Sequence, residues 1–230
     1  MKHRLQLART IKRTQSDSYW TKDIFFYFDA TAFYYKSKPR QHAQTLRGRV
    51  WWKRKESLTF RCTAKGRKAG SGGKVVRVHA AISYGNGVVL AKPYKKLTGK
   101  RFGKFIKKKK KKKKNEGNDN GPRLFVQDGD PSQNSRRSMR ALTRTNATVV
   151  KIPARSPDLN PIENIFHILG NQLNQDAIEQ NIEYETFRAF RRRVVDTLRR
   201  LPQSVIDKTI ASMSRRIDAV IQRKGGRLKY

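Results

Sequence analysis

The pattern of apolar residues changes partway along this chain, and that change limits the fold more than any other feature. Short apolar runs, each long enough for one strand, precede residue 153, whereas apolar residues recur at helical spacing from Asn160 onward. The clearest strand is Ile24 to Asp29, a dense apolar-aromatic run that ends in an acid. Strands first, then alternating elements, then helices predict an α/β fold with a C-terminal helical extension.

Two predicted strands form a hairpin near the middle of the chain. Val75 to Ser83 and Val88 to Tyr94 flank a turn that contains Asn86-Gly87, a strong hairpin signal. Further strands are predicted at Ala32 to Lys36 (continuing or pairing with the first strand), Ser57 to Lys65, Arg123 to Asp128 and Thr148 to Pro153. Helices are predicted within Ser132 to Leu142, from Asn160 to Leu173, across Phe187 to Leu201 and across Val205 to Ile221.

The charge of the chain indicates a polyanionic partner. Its 54 Lys and Arg against 17 Asp and Glu give a formal net charge of +37, which favours nucleic acid. An anionic membrane surface is the alternative. Because no stretch approaches the ~20 apolar residues of a membrane span and the charge is spread along the chain, we expect DNA or RNA, with no membrane partner and no small-molecule substrate.

A run of eight consecutive lysines, Lys107 to Lys114, interrupts the strand pattern. Phe102, Phe105 and Ile106 before it have helical spacing, so a helix that frays into the run is one interpretation. Eight like charges repel one another, and we therefore predict a solvated, mobile Lys-rich insert over about residues 107–121.

A metal site in this chain would have to use carboxylates. Cys62 is the only cysteine, and the four histidines are scattered without a partner at ligand spacing, which disfavours zinc. Two acids end predicted strands: Asp29, which could instead make a local turn with Thr31, and Asp128, which could make a turn with Gly129.

Glu163 is a third acid, and it has a structural explanation of its own. Asn160 is a candidate N-cap, Pro161 suits the first helical position, and Glu163 then occupies the third position of a capping box. The combination of the three acids favours a different interpretation. Two strand-terminal aspartates and one glutamate on the first turn of a helix can converge at one sheet edge, where Mg²⁺ would relieve their repulsion. Two such ions suit phosphodiester displacement.

Three segments carry a family resemblance. SPDLNPIEN (Ser156 to Asn164) resembles the signature of mariner-superfamily transposases, QDGDPSQNS (Gln127 to Ser135) resembles their second-aspartate motif, and FYFDATAF (Phe26 to Phe33) resembles their first. The 34 residues between Asp128 and Glu163 match the spacing of one main branch of that superfamily. Asp130 is an alternative second acid, and this spacing favours Asp128.

The resemblance implies a ribonuclease H-like mixed sheet and a DDE-type endonuclease that uses two Mg²⁺ or Mn²⁺ ions. Asp29 would bridge both ions, with Asp128 on one and Glu163 on the other. Water would be the first nucleophile and a DNA 3′ hydroxyl the second, so that DNA is cut at transposon ends and joined to target DNA. We expect the protein to be located in the nucleus, and a homodimer is one of the oligomeric states that the resemblance allows.

The resemblance also suggests an organisation. We predict a linker-like basic segment at residues 1–22, the catalytic domain at 23–180 and basic helices at 181–230. The family's two N-terminal helix-turn-helix modules are absent after Met1, so we expect a fragment, a truncated copy or a repurposed product.

Two rival functions remain open. One is a non-enzymatic, transposase-derived nucleic-acid-binding protein; its mark would be the loss of a carboxylate, and none of the three is lost. The other is a ribonuclease H-type nuclease acting on RNA–DNA hybrids, which the PDLNPIEN sequence argues against. Trp51 and Trp52 could help the basic helices to hold DNA, although core packing is the commoner role of Trp.

Overall fold

The described part of the chain forms a five-stranded sheet with helices packed on it. The computed structural model of the protein describes residues 2–45, 73–95, 123–127, 140, 147–153 and 156–228. Within them the strands are β1 (Ile24–Tyr34), β2 (Val75–Ser83), β3 (Gly87–Tyr94), β4 (Arg123–Gln127) and β5 (Ala147–Lys151).

The sheet is mixed, and β1 lies at its centre. The strand order is β3-β2-β1-β4-β5. The pairs β3–β2 and β2–β1 are antiparallel, whereas β4 and β5 continue the sheet in parallel to β1. Of the two alternatives predicted for Ala32 to Lys36, continuation of the first strand is the one observed, because β1 runs on to Tyr34.

The hairpin between β2 and β3 is set by glycine. Gly85 and Gly87 have φ of +70° and +63°, a backbone region that residues with a Cβ rarely adopt. The Gly85 amide donates to Asp207 Oδ1 at 2.9 Å, which ties the turn to the C-terminal helices. The hairpin predicted from Asn86-Gly87 is confirmed.

The helices follow the apolar stripes of the sequence. A short 3₁₀ turn at Pro157–Leu159 leads into the longest of the described helices. In chain order the helices are α1 (Lys2–Thr14), α2 (Tyr19–Lys22), α3 (Pro39–Thr45), α4 (Pro161–Glu179), α5 (Phe187–Arg200), α6 (Gln203–Ala211) and α7 (Met213–Gln222). None of the helices in these described ranges is long and apolar enough to cross a membrane.

The main core lies between one face of the sheet and helices α4 to α7. Alternate residues of the strands supply it, among them Tyr27, Val78 and Ile82, and they pack against α4 side chains such as Ile162 and Leu169. The opposite face carries a separate aromatic cluster of Phe26, Phe28, Ala81 and Phe125. The period-2 alternation of the strands therefore decides which residues face α4.

Two details of the prediction are wrong. Asp29 does not end a strand, because β1 runs on to Tyr34 by pairing with β2 after its parallel pairing with β4 stops. The single helix expected from Val205 to Ile221 is two helices that meet at Ser212, whose hydroxyl donates to the Thr209 carbonyl at 2.6 Å.

Other predictions lie outside the described residues. These are the strand Ser57 to Lys65, the helix within Ser132 to Leu142 (of which only residue 140 is described), the lysine run Lys107 to Lys114 with its insert, Trp51, Trp52, Asp128 and Asp130.

Candidate active site

The first predicted acid, Asp29, is a buried carboxylate in the central strand. It pairs with Ala80 of β2, and its side chain is 6% exposed. Tyr27 and Thr31, two positions before and after Asp29 in β1, lie on the same face of the strand as Asp29. Tyr27 belongs to the core that packs against α4. The amide of Ala30 donates to Asp29 Oδ1 at 2.7 Å. A carboxylate in this position needs partners, because burial penalises its charge.

Asn160 is a partner of Asp29. Its side-chain amide donates to Asp29 Oδ2 at 3.3 Å, and Asn160 itself is 3% exposed. Asn160 immediately precedes α4, so this bond joins the central strand to the start of that helix. The amide oxygen Oδ1 of Asn160 is buried and has no hydrogen-bond partner among the described residues.

Glu163 lies three residues after Asn160, on the first turn of α4, and is half-buried. Its backbone amide donates to the Asn160 carbonyl at 3.1 Å. Pro161 occupies the start of the helix as predicted, but the Asn160 side chain makes no capping bond to the helix. The predicted capping-box bond from the Asn160 side chain to the start of α4 is therefore wrong. That side chain bonds to Asp29 instead.

Asp128, the second predicted acid, lies outside the described residues. Strand β4 ends at Gln127, one position before it, and Gln127 pairs with Phe28, one position before Asp29. The structure thus brings Asp29 near the start of α4, where Glu163 lies. In the described part of the chain no three His, Cys, Asp or Glu side chains are close enough to hold a metal ion.

A hydrogen-bond network holds the segment just before Asn160. Asp158 is buried and receives two bonds from the Arg4 guanidinium, at 2.8 Å to Oδ1 and 2.5 Å to Oδ2, and a third from the Leu228 amide at 3.0 Å. Burial alone would raise the pKa of Asp158. The bonds and charge of Arg4 and the Leu228 bond outweigh it and hold the pKa below its usual value.

Arg216 approaches the same segment from α7. It is 2% exposed, and its Nη1 donates to the Asp158 carbonyl at 2.9 Å and to Asn164 Oδ1 at 2.8 Å. Arg4, Asp158 and Arg216 were not predicted from the sequence. A signal was available for the last: an arginine beside Met213, Ile217 and Val220 interrupts an apolar stripe, and a buried arginine requires polar partners.

Comparison with known proteins identifies the family. The family model described as "DDE superfamily endonuclease" matches residues 25–184, most of the chain. The transposase of the transposable element Tc1 from Caenorhabditis elegans is 34% identical over 113 residues, which cover 46% of this chain and 37% of that protein. The Tcb2 transposase of Caenorhabditis briggsae is 32% identical over 108 residues, with the same shares. The matched region thus spans little more than a third of these relatives.

Solved structures confirm the predicted fold class. The catalytic domain of Mos1 mariner transposase superposes with a TM-score of 0.66 at 14% identity, over 99% of this chain and 93% of that one. A pre-cleavage Mos1 transpososome gives 0.68 at 15% identity, over 100% of this chain and 64% of that one. The chain therefore belongs to the DDE superfamily endonucleases and has the ribonuclease H-like fold of a mariner-type transposase catalytic domain.

Proposed function

We propose that this chain is a transposase catalytic unit that cuts DNA at transposon ends and joins the freed 3′ hydroxyl to target DNA. The observation that carries the proposal is the bond between Asn160 and Asp29, which holds a buried carboxylate against the start of the helix that bears Glu163. We assign the chemistry to residues 23–180, with residues 1–22 and 181–230 as basic flanking segments.

Covalent geometry supports Asp128 as the second acid. Gln127 pairs in parallel with Phe28, and consecutive Cα atoms are about 3.8 Å apart. Asp128 is the next residue in the sequence after Gln127, and Gln127 is described at the end of β4, beside Phe28. An acid that directly follows β4 in the sequence, a buried acid on the adjacent strand β1 and a third acid on the first turn of α4 match the carboxylate group that the family resemblance implies.

The described residues of the site fit a hard divalent cation. Asp29 offers a buried carboxylate, and Asn160 Oδ1 is a buried oxygen without a hydrogen-bond partner among the described residues. Mg²⁺ and Mn²⁺ prefer such oxygen ligands. Mos1 paired-end complexes have been solved with Mn and with Mg. We propose two such ions here, held by Asp29, Asp128 and Glu163; when bound, they supply positive charge at the attacking and leaving oxygens.

The protein's own groups prepare this site. The Asn160 amide fixes the orientation of the Asp29 carboxylate. The apolar core, to which Tyr27 and Ile162 belong, excludes water from the sheet side of the site. The carboxylates repel one another and the DNA phosphates, so a basic surface must attract the nucleic acid to this edge.

Helix α5 offers a DNA-binding surface of the required charge. Arg188, Arg191 and Arg192 are exposed on it, at spacings of three and four residues that place them on one side of the helix. Within the described ranges none of the three forms an ion pair. Together with the net charge of +37, this surface favours contact with a phosphate backbone. The same proposal places the protein in the nucleus and includes a homodimer that pairs two ends.

A plasmid nicking assay tests the proposed function. Wild type should nick supercoiled DNA in the presence of Mn²⁺ and not in its absence, and Asp29→Asn should abolish nicking while leaving DNA affinity unchanged. Asp23→Asn is the matched control, because Asp23 is an exposed acid just before β1. Nicking that survives Asp29→Asn would contradict the site. A wild type that binds DNA without nicking it would favour the binding-protein alternative.

A further inference from the structure

Arg216 is a buried cation in the last helix of the fold, close to the candidate active site. Its Nη1 contacts the Asp158 carbonyl and the Asn164 side chain, and its Nε donates to Ser212 Oγ at 2.9 Å. At 2% exposure, the guanidinium is held in one position by three groups of the protein. The side chain thus links the junction of α6 and α7 to the start of α4.

The two acceptors of Nη1 enclose the functional segment. Asp158 precedes Asn160 by two residues, and Asn164 directly follows Glu163. One nitrogen atom therefore bonds to both ends of the turn that carries Asn160 and Glu163, at 2.9 Å and 2.8 Å. Because it contacts both ends, this nitrogen constrains the distance between Asp158 and the first turn of α4.

The Asp158 end of this bridge is itself fixed. Arg4 of α1 binds the Asp158 carboxylate with two nitrogens and also donates to the Gly225 and Gly226 carbonyls, at 3.0 and 3.1 Å. The amide of Leu228 adds a bond to the same carboxylate. The N-terminal helix and the end of the chain thus hold one side of the turn, and Arg216 transmits that position to the other side.

We propose that Arg216 is a positioning residue: through Asn164 and the Asp158 carbonyl, it holds the first turn of α4 so that Glu163 can bind a divalent cation together with Asp29. This inference rests on the proposed function. Outer partners that orient metal ligands typically change metal affinity by about 10- to 100-fold when they are lost. A residue that only packs α7 against the core would change stability without this effect.

The test measures Mn²⁺ binding to the intact chain, with the free ion followed by electron paramagnetic resonance. Arg216→Lys keeps the charge but cannot bond to Asp158 and Asn164 with the geometry of a guanidinium. Asn164→Ala removes one acceptor at a half-buried position and should leave the fold intact. We expect both variants to bind Mn²⁺ at least about tenfold more weakly than wild type, with unchanged affinity for DNA.

Two controls make the result specific. Arg215→Lys changes an exposed arginine beside Arg216 and should leave Mn²⁺ affinity as in wild type. Asn164→Asp keeps an oxygen acceptor for Arg216 and should keep the affinity that Asn164→Ala loses. Amide hydrogen exchange over residues 159–164 should speed up in Arg216→Lys and Asn164→Ala only.

The outcomes separate this inference from the proposed function. Folded Arg216→Lys and Asn164→Ala variants with wild-type Mn²⁺ affinity would overturn the positioning role and leave the metal site standing. If wild type binds Mn²⁺ and Asn164→Ala binds it more weakly, the role is supported even if Arg216→Lys does not fold. A wild type that binds no Mn²⁺ overturns both proposals.

Discussion

The side chain of Asn160 donates to Asp29 Oδ2 at 3.3 Å, across 131 positions of the chain. This bond connects the central strand to the residue that begins α4, and both side chains are almost fully buried. A neutral amide beside a buried carboxylate satisfies part of its hydrogen-bonding need without adding a second charge. The charge of the side chain at position 160 therefore affects the electrostatic environment and the hydrogen bonding of Asp29, the first predicted metal ligand.

Asn160→Asp should make stability depend on pH. The new carboxylate would face Asp29 where a donor had been, and at pH 8 we expect a loss of about 1–3 kcal/mol, typical of a buried polar group left without its bond. Repulsion raises the pKa of such a carboxyl pair in the folded state, so the folded chain binds a proton more readily than the unfolded chain. The loss should therefore shrink as pH falls from 8 to 5.

Urea denaturation at both pH values measures this effect. Asn160→Ala removes the amide without adding charge, so its loss of stability should be similar at pH 5 and pH 8. Added Mn²⁺ should restore more stability to Asn160→Asp than to wild type, because a cation relieves the repulsion. An Asn160→Asp variant as stable as wild type at pH 8 would show that the two side chains are not held together.

The bond between Arg4 and Asp158 should contribute to stability at neutral pH. The side chains of Arg4 and Asp158 are 8% and 7% exposed. Removing one partner of such a buried ion pair typically lowers the free energy of unfolding by about 3–5 kcal/mol. Asp158→Asn should therefore lower the free energy of unfolding by an amount of that order at pH 7. The pKa of Asp158 lies below its usual value, so its contribution is present above the unfolded-state pKa of about 3.9 and is lost as pH falls through the lower folded-state pKa.

Denaturation at pH 7 and pH 3 tests this linkage. The difference in stability between wild type and Asp158→Asn should be smaller at pH 3 than at pH 7. Asp17→Asn is the matched control, because Asp17 pairs with Lys12 at 3.5 Å but has an 84% exposed side chain. Asp17→Asn should leave the free energy of unfolding as in wild type at both pH values. Equal losses for Asp158→Asn at the two pH values would argue against an ionised Asp158.

The sequence predicted the parts of the fold that depend on local pattern. Short apolar runs located β2 and β3, and Asn86-Gly87 located their turn. The break at Ser212 was not predicted, because the apolar stripe from Val205 to Ile221 continues across it without a glycine or proline.

The site was predictable only in part, for a related reason. Asp29 and Glu163 could be named because each stands in a recognisable segment. The bonds of Arg4 and Arg216 to Asp158 and Asn164 span 52 to 154 positions, and no local spacing encodes them. Asn160 has a local role as N-cap that was a reasonable expectation, but the proximity of Asp29 in the folded chain gives its side chain another partner.

Neighbouring arginines of α5 should affect different properties. Arg192 is exposed, whereas Arg193 bonds to both oxygens of the buried Glu185, at 2.9 and 2.8 Å, and to the Leu173 carbonyl. Arg193→Gln should destabilise the fold by about 3 kcal/mol or more, because it leaves Glu185 buried and unpaired. Replacing Arg188, Arg191 and Arg192 together with Gln should leave stability nearly unchanged and weaken DNA binding.

Salt titration of DNA binding distinguishes these effects. For wild type, affinity should fall by about 10³-fold or more between roughly 50 and 200 mM salt if at least about six phosphates are neutralised. Each arginine of α5 that contacts a phosphate should contribute about 0.9 to the slope of log K against log salt. A triple variant with the wild-type slope would exclude this surface as the DNA interface.

Glu163→Gln separates metal binding from helix capping. The substitution keeps the shape of the side chain and a hydrogen-bonding oxygen, so a purely structural role on the first turn of α4 predicts no loss of activity. If Glu163 is a metal ligand, Mn²⁺-dependent cleavage should fall by more than about 100-fold. Loss of a residue that only orients a metal ligand typically costs no more than about 100-fold. DNA affinity should stay the same or rise slightly, because a negative charge near phosphates is gone. Glu179→Gln, at an exposed position on the last turn of the same helix, is the matched control and should cut like wild type. Equal cleavage by wild type, Glu163→Gln and Glu179→Gln would remove Glu163 from the site and leave Asp29 to be matched with another acid.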